Sequence, residues 1–117
     1  MNPQHPMTIV RRLQEAAGYL ELGMPTQALE SLAAVPDPGP FAAPAALIKG
    51  HALSAERRYD EAADRLLVAA RLFPEPLARR VWMMISECYR QTGQARLALD
   101  SLARARGAQT STVPPTL

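Results

Sequence analysis

Cysteine, lysine and aromatic side chains are scarce in this chain, and each scarcity closes off a class of protein. Cys88 stands alone, so no disulfide can form within the chain and a small secreted scaffold held by bridges is excluded; a reducing cytoplasm is the expected home. Aromatic residues make up 5% of the sequence against 48% hydrophobic, so the interior has to be built from Ala and Leu, a composition suited to closely packed helices. Lys49 is the single lysine beside twelve arginines, and the 13 basic against 11 acidic residues leave a net charge of +2. The basic residues are spread from Arg11 to Arg106 without forming a block, which speaks against nucleic acid as the main partner. No apolar run approaches the ~20 residues a bilayer span needs, and residues 1–6 lack the cationic and then apolar pattern of a signal peptide. The expectation is a soluble protein with no membrane partner.

At 117 residues the chain fits one domain with one continuous core. Residues 1–6, with two prolines, read as a disordered lead-in, and helical periodicity begins near Met7. Ile9, Leu13, Ala16, Ala17 and Leu20 recur at three- and four-residue steps, which puts them on one helical stripe. Gly23 then supplies a stop and Pro25 a first turn, so a second helix runs from about Pro25 to Ala34. Val35 to Pro40 holds three prolines and a glycine and has to be a loop. Further helices are expected over about Ala42–Ala55, Tyr59–Phe73, Leu77–Gln91 and Ala95–Arg106, divided by Pro74 and Pro76 and by Gly93. Residues 108–117 are polar, carry prolines and lack periodicity, and are expected to form a disordered tail.

Three units emerge when the helices are set in register. The even-numbered ones align Ala28-Leu32, Ala62-Leu66-Ala69 and Ala98-Leu102-Ala105, and the odd-numbered ones align Tyr19, Leu53 and Tyr89. The steps are 34 residues from Ala28 to Ala62 and 36 from Ala62 to Ala98, a period that signals a helical repeat. Trp82, Ile85, Tyr89, Gly93, Ala98, Leu102 and Ala105 stand at the spacing of the tetratricopeptide repeat, which residues 7–107 resemble; the second unit keeps Gly50, Ala62, Leu66, Ala69 and Pro74. The sequence departs from that pattern at Leu53 (usually Tyr), Arg57 (usually Gly) and Arg12 (usually Trp). The resemblance implies an all-α fold of six helices, arranged as antiparallel hairpins in a short right-handed solenoid with repeats at about 7–40, 41–74 and 75–107.

Residues that could carry chemistry are few. His5 falls in the lead-in, and His51 has no Cys, Asp, Glu or second His at metal-ligand spacing. Cys88 neighbours Met84, Ile85 and Tyr89 in the helical pattern, which reads as burial and not as an activated nucleophile. Asp60, Glu61 and Asp64 fall in the first turns of a helix, where negative charge complements its dipole. Glu61 with Arg65, Glu75 with Arg79, and Asp100 with Arg104 stand four apart in the favourable order for ion pairs on solvated faces. The glycines build no phosphate-cradling loop. No catalytic, metal or cofactor site is expected, and the chain is read as a non-enzyme.

In the tetratricopeptide family the first helix of each repeat lines a concave groove. The resemblance therefore implies a contact surface at Leu13, Ala17, Leu20, Leu47, His51, Ser54, Met83, Glu87 and Arg90. With Arg90 its one cation, that surface does not reproduce the family's clamp for peptide carboxylates and suits a hydrophobic or amphipathic peptide or helix of another protein. The expected function is a protein-binding adaptor; a small secretion chaperone holding an aggregation-prone partner is the alternative. A nucleic-acid reading would rest on Arg57, Arg58, Arg65, Arg71, Arg79 and Arg80. No further helix follows the sixth, so Leu99, Leu102 and Ala103 are expected to be partly uncovered and to offer a self-association surface or an end-on partner site.

Overall fold

The computed structural model describes residues 5–107. Among them are six α-helices and no strand: α1 Pro6–Glu21, α2 Pro25–Ala33, α3 Ala42–Ala55, α4 Tyr59–Leu72, α5 Leu77–Gln91 and α6 Ala95–Gly107. The fold is all-helical, as the periodicity implies. The Pro-rich link between α2 and α3 is irregular apart from a single 3-10 turn at Gly39–Phe41. Helix α1 begins at Pro6, one residue before the expected start. His5 is extended and its Nδ1 accepts the Met7 N–H at 3.1 Å, while Pro6 takes the first-turn place where its missing N–H is not needed. Residues 1–4 of the lead-in, and the tail expected over 108–117, lie outside the described residues.

One turn is built three times. The N–H groups of Met24, Arg58 and Gln94 donate to the carbonyls of Tyr19, Leu53 and Tyr89 at 2.8, 2.9 and 2.9 Å. The residue before each donor is left-handed: Gly23 at φ 73°, Arg57 at φ 64° and Gly93 at φ 78°. This closure reverses the chain while satisfying carbonyls that a helix end leaves open. The next helix starts equally regularly, with Ala28, Ala62 and Ala98 donating to the carbonyls of Met24, Arg58 and Gln94 at 3.2, 2.9 and 3.0 Å. Arg57 holds with a side chain the conformation that its two counterparts hold as glycine, at a cost of roughly 1–2 kcal/mol.

Consecutive helices pack in chain order, and α1 also touches α3. Within the hairpins the crossings are tight because one partner is small. A Cβ on Gly50 would stand 2.6 Å from both Cγ and Cδ2 of Leu66 and 3.4 Å from the Ala62 carbonyl oxygen. At the equivalent place in the third hairpin, the Ser86 hydroxyl donates to the Ala98 carbonyl at 2.8 Å, so a hydrogen bond fills the gap that a glycine leaves in the second. The first hairpin has Ala16 there, 0% exposed. Neighbouring hairpins are also pinned at matching points: the Thr26 hydroxyl donates to Glu56 at 2.7 Å, and the Gln94 amide donates to Asp60 at 3.2 Å. Thr26 and Asp60 occupy the same place in successive second helices, and each meets the turn of the following hairpin. This packing is consistent with a helical repeat.

The interior forms two clusters. One gathers Ile9, Leu13, Ala16, Ala28, Leu32, Val35 and Ala52; the other gathers residues of α3, α4 and α5 around Leu66 and Ile85. The ion pairs differ from the sequence expectation. Of the three four-apart pairs only Glu75–Arg79 comes within reach, at 3.8 Å. Glu61 is held instead by Arg58, at 2.8 and 2.9 Å, and Arg104 lies over the Trp82 ring, 5.1 Å from its centroid. A guanidinium gains at least as much from an aromatic face as from an exposed carboxylate.

Two glycines inside helices are expected to respond oppositely to alanine. Nothing lies within 4 Å of a Cβ on Gly18, so Gly18→Ala should raise stability by about 0.5–1 kcal/mol. Gly50→Ala should lower it, because the new Cβ would press on the branch carbon of Leu66 as well as on its Cδ2 and would crowd the Ala62 carbonyl, and overpacking at ~1–3 kcal/mol outweighs the ~1 kcal/mol gain in helix propensity. Thermal melts of the two variants check the signs. Arg57→Gly should raise the melting temperature, corresponding to about 1 kcal/mol; an unchanged or lower value would contradict the account of that turn.

Candidate functional site

Both α3 and α5 pack on α4, and where their sides face one another a cavity of about 160 Å³ opens, lined by His51, Ser54, Leu66, Met84, Glu87 and Cys88. Helical spacing assembles it: His51 and Ser54 are one turn apart on α3, and Met84, Glu87 and Cys88 share a face of α5. Leu66 and Cys88, buried at 0% and 2% exposure, form the floor. Met84 is half-buried and Met83, beside it, is 55% exposed. Thioether side chains of this kind adapt to irregular apolar surfaces.

Charge at this cavity is spent internally. Arg90 grips Glu87 with two bonds, Nε to Oε2 at 2.8 Å and Nη2 to Oε1 at 2.6 Å, and the Gln91 amide donates to the same carboxylate at 2.8 Å. The bonds from Arg90 and Gln91 hold the Glu87 carboxyl down to about 2, and the same pairing raises Arg90. Partial burial lowers His51, which favours the neutral imidazole. Burial pushes the Cys88 thiol up, outweighing a hydrogen bond with Ser54 that acts the other way. A protonated thiol is a poor nucleophile. At neutral pH the cavity is thus a polar-rimmed, apolar-floored recess with no unpaired charge among its lining residues.

The structure brings His51, Ser54 and Glu87 of the expected surface together in this recess, with Arg90 at its rim through Glu87. Met83 is exposed one residue away from the lining Met84. Leu47 and Leu20 are half-buried and pack against the two core clusters, and Ala17 is half-buried. Leu13, 7% exposed within the first cluster, is core and not surface, because α1 turns its Ile9-Leu13-Ala16 stripe onto α2. Sequence reasoning missed Met84, Leu66 and Cys88 as lining residues. Met84 lies three residues before Glu87 and four before Cys88, a spacing that marks a shared face.

A second opening, missed entirely, lies on another side of α5. Leu67 and Arg71 of α4, Trp82 and Tyr89 of α5, and Leu97, Asp100, Ser101 and Arg104 of α6 enclose about 400 Å³. Its signal was the pair of aromatics seven apart on α5, which composition alone assigns to the core. Four arginines of the nucleic-acid reading have distinct surroundings. Arg58 and Arg79 are paired with carboxylates, Arg71 lines this opening, and Arg65 lines a separate one with Lys49, Leu53, Glu61 and Asp64.

Among the described residues no three His, Cys, Asp or Glu stand where they could hold a metal ion, and no helix is long and apolar enough to cross a membrane. Compared with protein-family models, curated proteins and solved structures, the chain matches none of them.

The Glu87 contacts set a pH dependence. With its carboxyl held at about 2, the stability it contributes is complete above the ordinary carboxylate range and is lost as pH falls through about 2. Arg90→Ala should move the Glu87 titration, followed by NMR of its side-chain carbonyl, up toward the ordinary range; an unmoved titration would separate the two residues.

Proposed function

We propose that the chain is a non-enzymatic, protein-binding helical repeat of tetratricopeptide type, whose trough between α3 and α5 receives an apolar or amphipathic segment of another protein. The recess lined by His51, Ser54, Met84 and Glu87 over Leu66 and Cys88 carries this reading. Pockets that anchor a partner's side chain combine an apolar floor with a few polar groups at the rim, and this one does so on helices that a tightly packed partner holds in place. The Glu87–Arg90 fork removes the cation that would favour an acidic peptide tail, which leaves apolar contact and shape as the basis of recognition. The threefold turn and the matching Thr26 and Asp60 contacts support a stacked solenoid as the frame.

Plugging the recess tests the reading. Peptides selected on the native chain from a displayed random library should bind Ser54→Phe at least about tenfold more weakly, a loss of about 1.4 kcal/mol. A thermal melt verifies that the variant, which loses the Ser54 contact with Cys88, still unfolds cooperatively. Equal affinity for the plugged variant would remove the recess from the function.

A further inference from the structure

The outward side of α6 is built like surfaces that the earlier hairpins cover. In the second helix of each hairpin one place faces the hairpin that follows: Leu29 packs against both core clusters, and Ala63 is 1% exposed in the cluster that holds Val81, Ile85 and Cys88 of α5. The residue at that place in α6 is Leu99, 66% exposed. Leu102 is half-buried, whereas its counterparts Leu32 and Leu66 are 8% and 0% exposed. Helical geometry sets Leu99 and Leu102 on a stripe that ends at Arg106, with Arg96 and Ala103 along one edge. In both earlier hairpins the element that covers this place is a helix crossing from the next unit.

The charges on the stripe say what kind of helix fits. Neither Arg96 nor Arg106 takes part in an ion pair among the described residues. Asp100, the one carboxylate of α6, stands one turn beyond Arg96 but lines the opening toward Leu67 and Arg71 and forms no ion pair with Arg96. Arg96 stands in the first turn of α6, where a cation opposes the helix dipole, and among the described residues no ion pair offsets that charge. A second copy of the same face would add two more arginines against the single carboxylate of Asp100.

We infer that this stripe is a docking surface for an amphipathic helix of another protein, one whose apolar side chains meet Leu99 and Leu102 and whose flanking carboxylates meet Arg96 and Arg106. This surface is separate from the trough between α3 and α5. The partner helix takes the place that the first helix of a following hairpin takes on α2 and α4, and charge complementarity selects an acidic one.

Two designed helical peptides of about twenty residues, long enough to hold a helix, serve as probes: a leucine stripe flanked by glutamates, and its twin flanked by lysines. By fluorescence anisotropy against the full chain, the glutamate peptide should bind at least tenfold more tightly than its twin. The double variant Arg96→Glu/Arg106→Glu should invert that preference, and Leu99→Ser should weaken binding at least tenfold, while Ser54→Phe leaves it unchanged. All three α6 positions are exposed, and an unaltered thermal melt verifies that the variants fold. Equal binding of the twins, binding of neither, or loss in Ser54→Phe with retention in Leu99→Ser would each overturn the inference. So would a dimer in sedimentation that Leu99→Ser dissociates, which would assign the stripe to a second copy.

Discussion

The closeness of the two helices in each hairpin governs everything else in this structure. Leu66 reaches 0% exposure because Gly50 presents no side chain to it, and the third hairpin keeps the same approach through the Ser86 hydroxyl and the Ala98 carbonyl. With so few aromatic residues, a wider spacing would leave voids that leucine and alanine cannot fill, and voids cost contact energy on every wall. The small residues thus decide where α4 lies on α3, and α4 in turn sets where α5 and the recess beside it lie. The recess is a by-product of packing in the sense that its floor, Leu66 and Cys88, belongs to the core.

Charge is distributed according to which surface it serves. Around the turn after α3, Arg58 is shared between Glu56 and Glu61, and at the recess Arg90 is consumed by Glu87. These exposed pairs contribute little to stability, but they leave the surfaces near them electrically quiet. On α6 the arrangement changes: Arg104 rests on Trp82 and Arg96 and Arg106 face solvent. The outer side of α6 therefore differs in electrostatic character from the recess beside α3 and α5.

The sequence displayed the helices and the repeat almost completely, because both rest on short-range rules. The Gly23, Arg57 and Gly93 turns sit where periodicity stops, and the 34- and 36-residue steps coincide with bonds that recur in the structure. It displayed surfaces less well. Leu13 and Met83 were placed by analogy with a family groove, yet Leu13 shares the stripe of Ile9 and Ala16 that enters the core, and it is Met84, one turn before Glu87 and Cys88, that lines the recess. Side-chain pairing was the least legible. Arg104 could choose between Asp100 and Trp82, and the choice depends on a ring from another helix, which spacing along one helix cannot reveal. His5, unremarkable in the sequence, caps α1 because Pro6 fixes the chain beside it.

The division of the interior into two clusters has a consequence for how the molecule breathes. Leu29, only half-buried, is the partly buried residue that packs against both, while Ala52 of α3 belongs to one cluster and Ala46 and Leu53 of the same helix to the other. Phe41, Ala45 and Ile48 also reach the first cluster from the side of α3, so the seam runs along one helix, and α1 and α2 open as a unit by leaving that face of α3. Amide protons in the first hairpin would then exchange with solvent sooner than those of α4 and α5, and heat would loosen the chain from its beginning toward its middle.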